Sequence, residues 1–131
     1  MEKKNYDVLL VNDEPDILNF VEKILEVKLE GITCKLMLDG GDILKELEDY
    51  HPKVVVLDEI TPSTNGYVLC KQIKTTPKLS HIPVFIFGHE ELINRNLDCK
   101  ADGYFPYPFD HSDLDVIVDL VKPKSEVKKN E

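Results

Sequence analysis

The sequence predicts an α/β domain with a doubly wound (βα)5 fold, in which five parallel strands lie between helices on both faces. Two observations support this prediction. Apolar runs alternate along the chain with segments of helical spacing, and three of the five runs are nearly continuous in apolar residues, as in strands covered on both faces. The length of 131 residues suits one hydrophobic core. The usual strand order of such a sheet is 2-1-3-4-5.

The five apolar runs are the predicted strands. They cover residues 6–11, 33–38, 53–58, 82–87 and 103–105. The fifth strand lies at an edge of the sheet in the expected order. Pro106, which follows it, is compatible with an edge because an edge strand can lack a hydrogen-bond donor.

The predicted helices lie between these strands. Pro15 suits the first position of the first helix, apolar spacing continues to Leu29, and Gly31 is expected to end the helix. The others are predicted within residues 40–50, 66–75 and 90–98, and from Leu114 to Val121.

The start of the last helix has two candidate caps, and the chain beyond it is polar. Ser112 and Asp115 have the spacing of a capping box, and Asp110 is an equally good cap. The domain is predicted over residues 5–122, with residues 123–131 as a charged tail or the start of a linker.

The composition disfavours several classes of function. Lys and Arg total 16 against 25 Asp and Glu, so the formal net charge is −9. This balance argues against binding to nucleic acid or to anionic membranes. The sequence shows neither a secretion signal nor an apolar run near the roughly 20 residues of a membrane helix. Cys34, Cys70 and Cys99 lack disulfide or zinc spacing. We therefore expect a cytoplasmic protein with reduced thiols.

Acidic residues follow two strands that are neighbours in the predicted sheet. Asp13 and Glu14 come after the first strand, and Asp58 and Glu59 come at the end of the third. Ligands of open α/β sheets bind at this crevice, where the chain direction switches. Clustered carboxylates commonly hold a hard cation such as Mg²⁺.

Four motifs carry a resemblance to a known family. They are VLLVNDEPDILNFVEKIL, VVVLDEITPSTNGYVLCKQIK, IPVFIF and GYFPYPFD. Together they resemble the receiver domain of two-component response regulators, the CheY-like family, from about Tyr6 to Val121. The resemblance implies a flavodoxin-like fold and transfer of a phosphoryl group from a sensor histidine kinase to an aspartate in the presence of Mg²⁺. It implies a signalling domain rather than an enzyme.

The resemblance also implies roles for individual residues. Asp58 matches the phosphoacceptor, which also contacts the metal ion. Asp13 matches the direct Mg²⁺ ligand, and the backbone carbonyl of Ile60 matches the third protein ligand. Tyr104 matches the aromatic residue that changes rotamer on activation.

Three residues depart from the family pattern. Asn12 replaces the first acid of the pair, which weakens Mg²⁺ binding and leaves at most a contact through water. Gly88 replaces the hydroxyl residue that donates to the phosphoryl group. Tyr107 replaces the lysine, and its hydroxyl cannot supply the lysine's charge. The segment from Gly88 to Tyr104 is also about three residues shorter than usual, close to one helical turn, so we expect a shortened or reoriented fourth helix.

The atypical site leaves local alternatives open. Gly88 can simply relax a tight turn after the fourth strand. His89 can act as a substitute donor or metal ligand, although an exposed loop histidine is the favoured interpretation. Tyr107 is expected to pack across the crevice mouth, with a cis bond to Pro108.

We therefore expect a receiver domain with a degenerate phosphorylation site. Its signalling is expected to be weak or independent of phosphorylation and to proceed by protein–protein interaction. The partner is a sensor histidine kinase or another signalling protein, and a homodimer is an alternative. The competing hypothesis is a fully functional Mg²⁺-dependent phosphoacceptor. A phosphatase-like enzyme is disfavoured because Ile60 stands where a second acid is needed, and no phosphate-binding loop supports a flavin protein.

Overall fold

The strands form one parallel sheet in the predicted order, β2-β1-β3-β4-β5. The computed structural model describes residues 5–122, so the predicted tail at residues 123–131 lies outside the described residues. The strands are β1 (Val8–Val11), β2 (Cys34–Met37), β3 (Val54–Asp58), β4 (Val84–Gly88) and β5 (Gly103–Pro106).

The three central strands are buried on both faces, as their continuous apolar runs predict. Side chains alternate between two hydrophobic clusters because successive residues of a strand point to opposite faces. Leu9 and Leu57 belong to one cluster, and Leu10 and Val56 belong to the other. β2 and β5 are the edges, and every residue of β2 is only partly buried.

Within residues 5–122, five α-helices cover the sheet. They are α1 (Pro15–Lys28), α2 (Ile43–Tyr50), α3 (Gly66–Lys74), α4 (Glu90–Arg95) and α5 (Asp115–Val121). The 3-10 turns Leu97–Cys99 and His111–Leu114 precede β5 and α5, respectively. α4 has six residues, which confirms the predicted shortening of the fourth helix.

One helix end differs from the sequence-based expectation, and another selects between two expected caps. α1 ends at Lys28 rather than at Gly31, because Leu29 already has an extended backbone with φ −144°. Gly31, with φ +88°, lies in the turn that follows. At the other end of the domain, Asp110 forms a capping box with Asp113, which decides between the two candidate caps.

Candidate functional site at the carboxyl end of the sheet

A crevice of about 480 Å³ opens at the carboxyl ends of β1 and β3, where the sequence predicts a site. Its walls include Asp13 and Glu14 after β1, Asp58, Glu59 and Ile60 at the end of β3, and His89 and Tyr107. Ile17 also lines the crevice, so six of its eight lining residues are acidic or polar, and Ile17 and Ile60 are the two apolar exceptions. The crevice is therefore an acidic opening rather than an apolar ligand pocket.

Asp58 lies half-buried at the end of β3. Its Oδ1 accepts a hydrogen bond of 3.0 Å from the hydroxyl of Tyr107. Burial raises the pKa of Asp58 to about 6, and the charges of Asp13 and Glu59 add to the rise. The Tyr107 hydrogen bond opposes it, because a donor stabilises the carboxylate.

Tyr107 packs across the crevice as predicted, and its peptide bond to Pro108 is cis. Its ring centroid lies 6.0 Å from that of Phe87 and 5.4 Å from that of His89. Burial and the neighbouring charge of Asp58 raise the pKa of the Tyr107 hydroxyl. The hydroxyl therefore stays protonated at neutral pH and contributes a hydrogen-bond donor without a charge.

Asn12 directs its oxygen to the backbone. The Oδ1 atom accepts a hydrogen bond of 2.9 Å from the amide N–H of Glu14, which fixes the turn between β1 and α1. The residue is 3% exposed. Its Nδ2 atom is buried and lacks a hydrogen-bond partner among the described residues. An amide nitrogen is a donor and cannot bind Mg²⁺, so Asn12 adds little to a metal site.

The buried contacts of Glu59 are the feature of the site that the sequence does not predict. It is buried, with 5% exposure. Its Oε1 accepts hydrogen bonds from the Tyr67 hydroxyl at 3.0 Å and from the His89 backbone N–H at 3.1 Å. Its Oε2 lies 2.5 Å from His89 Nδ1. These three contacts offset the cost of burying a carboxylate.

Gly88 makes room for this arrangement. A Cβ atom at Gly88 would lie 2.6 Å from Glu59 Oε1 and 2.6 Å from the Tyr67 hydroxyl. Gly88 is the last residue of β4, paired with Pro106 in the sheet, and the tight turn into α4 follows directly at His89. Glu59, Tyr67 and Gly88 lie eight or more positions apart along the chain, so the sequence carries no local signal of this cluster.

Gly66 brings the loop after β3 close to Asp58. A Cβ atom at Gly66 would lie 2.2 Å from the backbone oxygen of Asp58. The Gly66 N–H donates to the Glu59 carbonyl at 2.8 Å. Such a close approach between the Gly66 and Asp58 backbones requires glycine. This approach sets the position of Ile60 at the rim of the crevice.

His89 and Tyr104 occupy different surroundings. The His89 side chain is 69% exposed, as expected for a loop histidine, but it is engaged with Glu59. Tyr104 is not among the residues that line the crevice. Its hydroxyl lies 3.4 Å from the Sγ atom of Cys99, and the side chain packs against the cluster that contains Leu9 and Leu57.

The oxygen atoms of the crevice fit a hard cation in part. The carboxylates of Asp13 and Asp58, with a backbone carbonyl of the loop at Ile60, are of the chemical type that Mg²⁺ accepts, with water completing the coordination. Within residues 5–122, however, no group of three or more His, Cys, Asp or Glu side chains is arranged to hold a metal ion. This donor set is compatible with weak Mg²⁺ binding.

A parallel sheet of order 2-1-3-4-5, with an aspartate ending its third strand and another acid after its first, is the arrangement that the resemblance to receiver domains implies. The family model for the response regulator receiver domain matches residues 8–119. The chain belongs to this family and is a receiver domain of the two-component type.

Two curated relatives are response regulators. The chain is 28% identical over 135 residues to the alkaline phosphatase synthesis transcriptional regulatory protein PhoP of Bacillus subtilis, covering 97% of this chain and 55% of the relative. It is 27% identical to the response regulator MprA of Mycobacterium ulcerans, covering 78% of this chain and 44% of the relative. The chain thus spans about half the length of these relatives.

Solved structures share the fold. The receiver domain of a signal transduction histidine kinase from Syntrophus aciditrophicus is 27% identical with a TM-score of 0.79, covering 96% of this chain and 95% of that one. The chemotaxis response regulator CheY4 of Vibrio cholerae is 20% identical with a TM-score of 0.75, covering 91% of this chain and 100% of that one. No helix within residues 5–122 is long and apolar enough to span a membrane.

Proposed function

We propose that this receiver domain signals mainly through protein–protein contacts that do not require phosphorylation of Asp58. The acidic character of the crevice supports the proposal. Asp13, Glu14, Asp58 and Glu59 line it, and neither lysine nor arginine is among the described lining residues.

Phosphorylation would add more negative charge to this crevice. A phosphoryl group carries a charge of about −1.5 to −2 at neutral pH. Phosphoryl transfer depends on cations and hydrogen-bond donors around the spreading charge. A donor side chain at position 88 would have to displace the Glu59 carboxylate or the Tyr67 hydroxyl, and Tyr107 supplies an uncharged hydroxyl. A Mg²⁺ ion held by Asp13, Asp58 and Ile60 would provide charge neutralisation, but Asn12 contributes little to holding it.

The proposed partner is a signalling protein of a two-component pathway, either a sensor histidine kinase or a downstream protein. The relatives support this class, because one is named a transcriptional regulatory protein and one solved structure is a receiver domain of a histidine kinase. The domain would act in the cytoplasm and as a binding module rather than as an enzyme. Pairing with a second copy is the alternative interaction.

A working Mg²⁺-dependent phosphoacceptor is the second candidate. It is favoured by the half-buried Asp58 carboxylate, which shares the crevice with Asp13. The Tyr107 hydroxyl also lies within hydrogen-bond distance of Asp58, where it can donate to an oxygen.

An amide NMR titration with Mg²⁺, followed by beryllofluoride as a phosphoryl mimic, separates the two candidates. We expect Mg²⁺ shifts confined to the neighbourhood of Asp13 and Asp58, and no spread of shifts to Tyr104 or α5 on adding beryllofluoride. Asp58→Asn is the control for specific binding. Saturating beryllofluoride shifts that reach Tyr104 in the parent chain, and disappear in Asp58→Asn, would overturn the proposal.

Tyr107→Lys is the complementary variant. It restores a positive charge beside Asp58 without adding volume at Gly88. If the absence of a positive charge limits beryllofluoride binding beside Asp58, this variant should bind beryllofluoride more tightly than the parent. Equal binding by the two proteins would show that the charge is not limiting.

A further inference from the structure

We propose that His89 is a second phosphoryl-accepting residue of the crevice, taking a phosphoryl group on Nε2 from small acyl phosphate or phosphoramidate donors. The inference goes beyond the proposed function and does not depend on whether Asp58 accepts a phosphoryl group. It rests on the contacts between His89 and the buried Glu59, which orient an imidazole ring that is itself exposed.

The contact with Glu59 fixes the tautomer of the neutral ring. The Glu59 Oε2 atom lies 2.5 Å from His89 Nδ1. A carboxylate can only accept a hydrogen bond, so Nδ1 carries the proton and Nε2 carries the lone pair. None of the described residues is hydrogen bonded to Nε2, which leaves the nucleophilic nitrogen open.

Glu59 is itself held rigidly. Its other oxygen accepts from the Tyr67 hydroxyl at 3.0 Å and from the His89 backbone N–H at 3.1 Å. His89 is therefore attached to one carboxylate through both its backbone and its ring. A nucleophile or base positioned by a third group is the general arrangement of activated histidines in catalysis.

Exposure differs sharply between the two partners. The His89 side chain is 69% exposed, whereas the Glu59 side chain is 7% exposed. A phosphodonor can therefore reach the ring, while the orienting carboxylate is shielded from water and from salt. Asp13 and Glu14 on the opposite wall repel an anionic donor, so the reaction is expected to be slow.

The transfer step balances without a further reagent. The Nε2 lone pair attacks phosphorus, and the bond from phosphorus to the acyl oxygen breaks, so that the carboxylate leaves with the electron pair. With phosphoramidate, the phosphorus–nitrogen bond breaks and ammonia leaves after taking a proton from water. The product ring is cationic if Nδ1 keeps its proton, and the adjacent Glu59 carboxylate stabilises that charge.

The test uses the full chain of 131 residues, incubated separately with phosphoramidate and with acetyl phosphate. Intact mass gives the extent of labelling, and peptide mapping gives its position. Resistance to alkali with loss in acid distinguishes phosphohistidine from an aspartyl phosphate, which alkali cleaves. We expect an alkali-resistant label in the parent chain that persists in Asp58→Asn and is absent in His89→Gln.

Two variants test whether labelling of His89 depends on its orientation by Glu59 or only on the exposure of a histidine ring. His111 is an exposed histidine outside the crevice, and His111→Gln should label like the parent. Glu59→Gln keeps similar volume but removes the negative charge, and it should slow labelling by at least about tenfold, as loss of an orienting partner typically does. An amide spectrum of each variant establishes that the fold is retained.

Three results would overturn the proposal. They are a parent chain without an alkali-resistant label, a label unaffected by His89→Gln, and equal rates in Glu59→Gln and the parent. An alkali-sensitive label that is lost in Asp58→Asn would instead favour the second candidate function, a phosphoacceptor at Asp58, so the two ideas are tested by different labels.

Discussion

Replacing Asp58 with asparagine is expected to stabilise the folded domain at neutral pH. The carboxylate is half-buried beside Asp13 and Glu59, and this surrounding raises its pKa to about 6. The charged form is therefore disfavoured in the folded state relative to the unfolded chain. Asparagine removes the charge and keeps an oxygen that can accept the Tyr107 hydrogen bond.

The magnitude follows from the shift in pKa. The rise from 3.8 to about 6 is close to two units. Each unit corresponds to about 1.4 kcal/mol, so an unscreened site would gain about 3 kcal/mol. Asp58 is only half-buried, and solvent screening reduces this value. We expect the free energy of unfolding of Asp58→Asn to exceed that of the parent by about 1–2 kcal/mol above pH 7.

The same shift fixes the direction of the pH dependence. Between the unfolded pKa of 3.8 and the folded pKa of about 6, the folded state binds more protons than the unfolded state. The contribution of Asp58 to stability is therefore largest below pH 4 and is lost as the pH rises through about 6. The difference in free energy of unfolding between Asp58→Asn and the parent should therefore shrink toward zero at pH 4.

Urea unfolding followed by circular dichroism at pH 7.5 and pH 4 measures both quantities in metal-free buffer. Asp119→Asn is a suitable control because Asp119 is an exposed acid on α5, so its removal should change stability by less than about 0.5 kcal/mol. A variant no more stable than the parent at pH 7.5, or an advantage that is equal at both pH values, would refute the reasoning.

Three further changes test the packing of the site and the sheet. Gly88→Ala should cost about 1–3 kcal/mol in urea unfolding, because its Cβ meets the Glu59 and Tyr67 oxygens. Gly103→Ala should cost a similar amount, about 1–3 kcal/mol, because its Cβ would lie 2.5 Å from the Phe85 ring. Tyr107→Phe should raise the pKa of Asp58 above about 6, because it removes the hydrogen bond that lowers that pKa. An NMR titration of the Asp58 carboxyl carbon measures this change.

Each of these predictions has its own control. The cost of Gly88→Ala should be smaller in a Glu59→Ala background, and an unchanged cost would contradict the steric argument. Phe85→Leu should likewise reduce the stability cost of Gly103→Ala. A pKa of Asp58 that stays at about 6 or falls in Tyr107→Phe would show that the hydroxyl does not stabilise the carboxylate.

The strand order and the location of the crevice could be predicted because they depend on patterns that are local in sequence. Continuous apolar runs identify buried parallel strands, and Asp13 and Asp58 follow two of them. The cis peptide before Pro108 and the short α4 were also predicted correctly. These features follow from the resemblance of whole motifs rather than from single residues.

The contacts of Glu59 could not be predicted in the same way. Its neighbours are eight and thirty positions away along the chain, and each looks ordinary when considered alone. The end of α1 was misplaced for a related reason. Gly31 is a common helix terminator, but the backbone becomes extended at Leu29, and no nearby residue type signals that change.

The close fit of Glu59 and Tyr67 around Gly88 restricts how this domain can change by mutation. A serine or threonine introduced at position 88 meets two oxygen atoms at 2.6 Å from its Cβ position. The same residue becomes acceptable only after the acid or the tyrosine has been replaced by something smaller. A hydroxyl-bearing side chain at position 88 is therefore expected to lower stability unless Glu59 or Tyr67 is changed with it. The three residues form an epistatic set, which any engineering of this receiver has to change together.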